Sequence, residues 1–191
     1  THISSLECIA VKPNAAPVNA NGPTTQIIAK HYVLAGGSIN SPALLLRSNA
    51  PDPHKQLGTR TFLHPVAITT AVMSNTVAGW DGAPQSIYSD HYLTTQPVDG
   101  VMGFKLEVAP LHPVFFGANL PGFGQKQADL FRQFPHANVM LALMRDGFHP
   151  DSAVGKVELR GDGSPVLDYQ MTDYTWDGIR RAYHTMAEIQ F

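Results

Sequence analysis

A chain of 191 residues, 43% hydrophobic and 15% charged, can fill a core in one ordinary domain or in parts of two, with less charge than the ~25% usual in soluble domains. Its formal net charge of −2 gives no electrostatic footing for nucleic acid or an anionic membrane as partner, and no apolar stretch reaches the roughly 18 residues that span a bilayer. The single cysteine, Cys8, excludes an internal disulfide and leaves the compartment open.

Residues 1–11 contain a strand-like stretch, with Ile3, Leu6, Ile9 and Val11 among polar residues. Residues 12–25, rich in Pro, Asn, Ala and Gly, read as a loop. A second strand is expected over 26–35. It ends in Tyr32, Val33, Leu34 and Ala35, an uninterrupted apolar run suited to a parallel strand buried on both faces. Gly36 and Gly37 then break the run with a turn that allows φ > 0 or a close backbone approach to a bound group. Ser41-Pro42 is a helix-start signal, since Ser can cap free N–H groups and Pro needs no donor in the first turn. Ala43 to Arg47 continue the helix. Strand, tight Gly turn and capped helix in succession are a common way for an α/β sheet to present backbone to a nucleotide cofactor.

Further along, residues 49–55 form a turn-rich connector. Residues 62–73 are β-rich, with Ala67, Thr69, Ala71 and Met73 on one face and Val66, Ile68, Thr70 and Val72 on the other. A loop over 75–84 holds Trp80. Strands are expected over 85–93 and 103–108, a Pro-, Gly- and aromatic-rich connector over 110–124, and a short helix over 125–134. The apolar run 137–144 suits a central strand. Residues 154–160 and 166–169 make a hairpin about the turn 161–164. The closing stretch 174–191 places Ile179, Tyr183, Met186 and Ile189 at helical spacing behind the capping candidates Thr172 and Asp173, which reads as core packing. The chain starts at Thr1 and stops at Phe191 inside this helical pattern, as a piece of a longer polypeptide would.

The stretch AGGSINSPALLLRS resembles the second signature of the glucose-methanol-choline (GMC) family of FAD-dependent oxidoreductases, with Gly37, Ser38, Ser41, Pro42, Leu44, Leu45 and Ser48 in the patterned places. The family continues Gly-aliphatic-Gly, where this chain has Asn49-Ala50-Pro51. LGTRTFLHPV resembles the stretch in which the family passes from flavin domain to substrate domain; Gly58, His64 and Pro65 match, and Leu63 stands in place of Asp. VELR-DG-P-LDY followed by an amphipathic helix is similar to the opening of the family's carboxy-terminal region.

The resemblance implies an α+β fold: the end of an FAD-binding, Rossmann-like α/β domain (1–62), an antiparallel substrate-domain sheet packed with helices (63–172), and a helix returning toward the FAD domain (173–191). It implies FAD as cofactor, with Ala35, Gly36, Gly37, Ser41 and His64 as the positions near it. For His64 a half-buried histidine bonded to backbone stands beside the cofactor-neighbour reading, and is preferred because the neighbouring Asp is replaced. The implied partners are a small-molecule alcohol and the remainder of the parent polypeptide.

Oxidising an alcohol with a flavin needs a dinucleotide site, a base for the hydroxyl proton and a donor carbon facing the flavin. No G-x-G-x-x-G turn occurs here, and the family's catalytic histidine is expected beyond residue 191. Catalytic residues are therefore expected outside this chain, which alone should be inactive. None of the nine histidines pairs at the i, i+4 spacing of a helical metal site, so no metal is expected. Ser38 lacks the glycine two residues on that a hydrolase nucleophile elbow requires, because Asn40 stands there. The alternative from another class is a non-catalytic, β-rich ligand-binding or interaction module.

Overall fold

The computed structural model describes residues 2–10, 23–83, 85–152 and 154–191; most of the expected loop 12–25 lies outside them. The chain divides into two compact units, the first taking in residues 1–58 and 157–166, the second 59–156 and 167–191.

In the first unit, β1 (Leu6–Ile9) and β2 (Thr24–Ile27) pair antiparallel, Leu6 opposite Ile27 and Ile9 opposite Thr24. The second strand stops there. Residues 32–35 are not a strand, and Val33 and Leu34 are 89% and 42% exposed, which corrects the expectation of a buried parallel strand. A strand forms only where a neighbour takes its backbone N–H and C=O groups, and no described strand lies beside this run. Instead the Tyr32 hydroxyl accepts from the Ala29 N–H at 3.0 Å and donates to the Ile27 carbonyl at 3.2 Å.

Helix α1 (Gly37–Arg47) starts four residues before the expected Ser41. Gly37 sits at φ 73°, a conformation that glycine adopts without a Cβ penalty. The Ser41 hydroxyl turns back to accept the Gly36 N–H at 2.9 Å, which holds an added turn ahead of Pro42. Pro42 thus lies inside the helix, where it forgoes one backbone bond. At the other end Ser48 Oγ donates to the Leu44 carbonyl at 2.8 Å, and Arg47 donates to the Gly163 carbonyl at 3.0 Å. In the connector, the Asp52 carboxylate accepts from the Gln56 and Leu57 N–H groups. A Cβ on Gly58, at φ 76°, would meet the Val157 carbonyl oxygen at 2.5 Å, so only glycine fits.

The second unit is built on an antiparallel sheet in the order β3 (Val66–Val72), β6 (Ala137–Met144), β5 (Phe104–Glu107), β4 (Tyr88–Ser89). Alternation along β3 and β6 sends Ala67, Ala71, Met140, Ala142 and Met144 inward. With Met102, Phe104 and Leu106, all of these but Ala71 meet Ile179, Ala182 and Met186 of α4 (Asp173–Gln190). The Thr172 hydroxyl caps that helix by accepting the Thr175 N–H. The expected stripe is half corrected. Ile179 and Met186 are buried, but Tyr183 and Ile189 are 43% and 55% exposed. The packed face runs instead through Thr175, Gly178 and Ala182; a Cβ on Gly178 would meet the Met102 side chain at 2.9–3.2 Å, so small residues set the approach of helix to sheet.

The connector 110–124 contains an unexpected helix, α2 (Pro113–Asn119), with His112 as its N-cap and Pro113 in the first turn. Helix α3 (Gln125–Phe131) follows. Leu111, Phe116 and Ala137 form a second small core with Leu120, Phe134 and Val139 around them, and Trp80 stacks on Phe134 at 5.0 Å. The expected strand 85–93 shrinks to Tyr88–Ser89. The hairpin β7 (Lys156–Leu159) and β8 (Pro165–Asp168) forms about the expected turn. Helices and antiparallel sheets together make the fold α+β.

Candidate functional site

The sequence points to the turn ahead of α1, and the structure gives it a defined shape. Ala35, Gly36 and Gly37 are exposed and Ser41 is partly buried. Ser41 is tied to the turn, its Oγ accepting the Gly36 N–H. A Cβ on Gly36 would come within 3.1 Å of both the Asn40 Cβ and the Ser41 nitrogen, whereas the space beside Gly37 is open. The two glycines therefore serve different ends: Gly36 allows the close return of the helix, and Gly37 supplies the left-handed φ. The first N–H groups of α1 have no partner within the helix, and no acidic side chain occupies its first turn. Bare backbone with that polarity fits a polar or anionic portion of a cofactor approaching along the chain. It offers one edge of a site.

His64 belongs to the second unit and is exposed, which corrects the half-buried, backbone-bonded reading; it directly precedes Pro65 at the entry to β3. His112 and His149 act as local caps, His112 Nδ1 accepting the Val114 N–H and His149 Nδ1 the Asp151 N–H. Among the described residues no cluster of three His, Cys, Asp or Glu is placed to hold a metal, and no helix is long and apolar enough to cross a membrane.

Two polar arrangements in the second unit went unread in the sequence. Asp146, only 8% exposed, accepts from the Tyr169 hydroxyl at 2.7 Å and from the Gly147 N–H at 2.8 Å. Burial first, then this bond to Asp146, push the Tyr169 phenol above its ordinary range. Ser152 Oγ accepts the Gly147 and His149 N–H groups, and the His149 ring stacks on Tyr174 at 4.2 Å. Every contact here satisfies a neighbour, so the group is a brace between the β6 exit and the start of α4. The second arrangement is the ion pair Lys105–Glu107 at 2.7 Å, in which the hydrogen bond to Glu107 raises the Lys105 pKa. The brace joins segments distant in sequence, which no local pattern shows, whereas Lys105 and Glu107 stand at i and i+2 on one face of β5.

Residues 4–66 match the GMC oxidoreductase family. That span holds the β1–β2 pair, the glycine turn and α1, and it ends at the first residue of β3. The chain is also similar to an uncharacterised GMC-type oxidoreductase of Mycobacterium tuberculosis strain CDC 1551 / Oshkosh, 29% identical over 117 residues. Another from strain ATCC 25618 / H37Rv matches to the same extent. The aligned segment is 61% of this chain and 17% of each relative's length.

Proposed function

We propose, for a chain related through residues 4–66 to the GMC oxidoreductases, that it is part of a flavoprotein oxidising an alcohol, with FAD held in part along the turn 35–37. FAD, when bound, would accept a hydride from the alcohol carbon. The observation that carries this reading is the exposed Gly36-Gly37 backbone at the start of a helix with no acid in its first turn. Ala35 and Gly37 would lie against the cofactor through their backbone, and Ser41 would act by fixing the turn through the Gly36 N–H. His64 is assigned as a polar neighbour of FAD on its sequence context. Residues 1–62 would complete the flavin domain, 63–172 the substrate domain, and the outer side of α4 would turn to the flavin domain. The base that takes the alcohol proton would come from elsewhere in the longer polypeptide.

Purification of that longer polypeptide tests the reading: it should be yellow, with a flavin spectrum bleached by an alcohol under anaerobic conditions. The 191-residue chain alone should be colourless and bind FAD more weakly than about 1 μM, since one edge of a site does not supply the roughly 8 kcal/mol that such affinity takes. A colourless parent, or micromolar binding by the isolated chain, contradicts it.

A further inference from the structure

The sheet of the second unit ends in two unlike edges. On one side stands β4, two residues long, and a very short edge strand is one way a sheet avoids pairing with another chain. On the other stands β3, seven residues in unbroken register with β6 and with no described strand beyond it. It carries no charge, no proline and no bulge, so none of the usual devices protects it. The Pro65 carbonyl accepts the Met144 N–H at 2.9 Å, and the Met73 N–H donates to the His136 carbonyl at 3.0 Å. In an antiparallel ladder such bonds recur at every second residue. Ala67, Thr69 and Ala71 therefore turn their backbone groups to β6, and Val66, Ile68, Thr70 and Val72 turn theirs outward.

This strand reads nearly the same in either direction. About Thr69, Val66 answers Val72 and Ala67 answers Ala71; only Ile68 and Thr70 differ, and both are β-branched. An antiparallel copy related by a two-fold axis at Thr69 would set Val66 opposite Val72 and Ile68 opposite Thr70. All four have outward N–H and C=O groups, so each can donate one bond and accept one. Two copies would thus exchange about eight main-chain bonds, against the ten or so of a standard interface. Uncharged and self-complementary about its own centre, the edge fits a second copy of itself, as a two-fold dimer requires.

The flank of the edge suits the same partner. A groove of about 490 Å³ there is lined by Leu63, Val66, Met171, Trp176 and Tyr183. Trp176 and Tyr183 of α4 are 42% and 43% exposed. Helix α4 packs on both β3 and β6. With strands about 4.8 Å apart, a helix centred between them would stand about 10 Å from its copy, the usual spacing of packed helices. We propose that two copies of this chain join antiparallel through β3 about a two-fold axis at Thr69, making one continuous sheet.

The test follows the 191-residue chain by sedimentation across a concentration series, with hydrogen exchange read amide by amide. The mass should rise to twice that of one chain. As it does, the amides of Val66, Ile68, Thr70 and Val72 should gain protection, while those of Thr69 and Ala71 are protected throughout. In Val66→Lys/Val72→Lys, at positions 43% and 51% exposed, like charges would face each other at both ends of the pairing, and the chain should stay monomeric. Val66→Glu/Val72→Glu should do the same. An equimolar mixture of the two variants should recover the dimer, with opposite charges now facing. Should either variant fail to fold, the exchange pattern of the unaltered chain decides alone. A monomer at every concentration, a dimer that both charged variants retain, or a mixture that stays monomeric overturns the proposal. So does a longer polypeptide that is monomeric with the four outward amides protected, since a strand of its own would then cover β3. No flavin takes part, so either result leaves the FAD reading where it stands.

Discussion

Residues 32–35 and 137–144 are both uninterrupted apolar runs, and only the second is a strand. Ala137–Met144 lies between β3 and β5, so its backbone is bonded on both edges and its inward residues meet α4. Residues 32–35 have no such neighbours among the described strands, and Val33 is left almost fully exposed. Apolar character sets which segments can be buried; partners for the backbone decide which become strands. Stability and recognition therefore separate in this molecule. The second unit carries the packed core, while the stretch matching a known family carries exposed backbone.

That separation predicts where substitutions hurt. Phe104 is 1% exposed and stacks on Tyr92 at 5.2 Å, so Phe104→Ala should cost about 3–5 kcal/mol in denaturant unfolding of the second unit. A cost near zero would mean that the sheet and α4 do not hold the unit together.

A middle-sized effect belongs to the brace. Tyr169→Phe withdraws one donor from the Asp146 carboxylate and should cost about 1.5–3 kcal/mol at neutral pH. The folded pKa of Tyr169 lies above its ordinary value of 10.0. The stability it contributes is therefore full below about pH 10 and is lost as pH rises toward the folded value. Unfolding followed from pH 8 to 11 should show that decline in the unaltered protein and a flatter profile in Tyr169→Phe. Parallel profiles would break the assignment.

The smallest effect should come from the other side of the comparison. Val33→Ala, at 89% exposure, should change the stability of this chain by no more than about 0.5 kcal/mol. A loss of 2 kcal/mol would show that residues 32–35 are buried against something in solution.

Much of the second unit was legible in the sequence because alternation and turn chemistry are local. The run 137–144, the alternation of β3 and the Thr172 cap all follow from neighbouring residues, as does the turn 161–164 in the first unit. What was missed depends on distant ones. Helix α2 hid in a stretch rich in Pro and Gly, although His112-Pro113 carries the marks of a helix start. The packed face of α4 runs through Gly178 and Ala182, which no count of large apolar residues selects. Residues 32–35 have the composition of a strand without its partners. At the candidate site, the Gly36-Gly37 pair was legible as a turn allowing φ > 0 or a close approach, while Ser41, read as the cap of a helix starting there, lies inside α1. Its bond to Gly36, which moves the helix start forward, was not legible, since it depends on the turn having closed.

The most direct measurement is flavin occupancy of the longer polypeptide, by the ratio of visible to ultraviolet absorbance, in Gly36→Val and in Leu45→Ala. A side chain on Gly36 would crowd Asn40 and the Ser41 nitrogen at 3.1 Å and distort the backbone proposed to lie along FAD. Leu45→Ala, in the same helix, leaves that backbone as it is. At matched stability, Gly36→Val should lose most of its flavin while Leu45→Ala keeps it. Equal retention or equal loss in the two variants would contradict the account, and would make the glycine turn a piece of architecture alone.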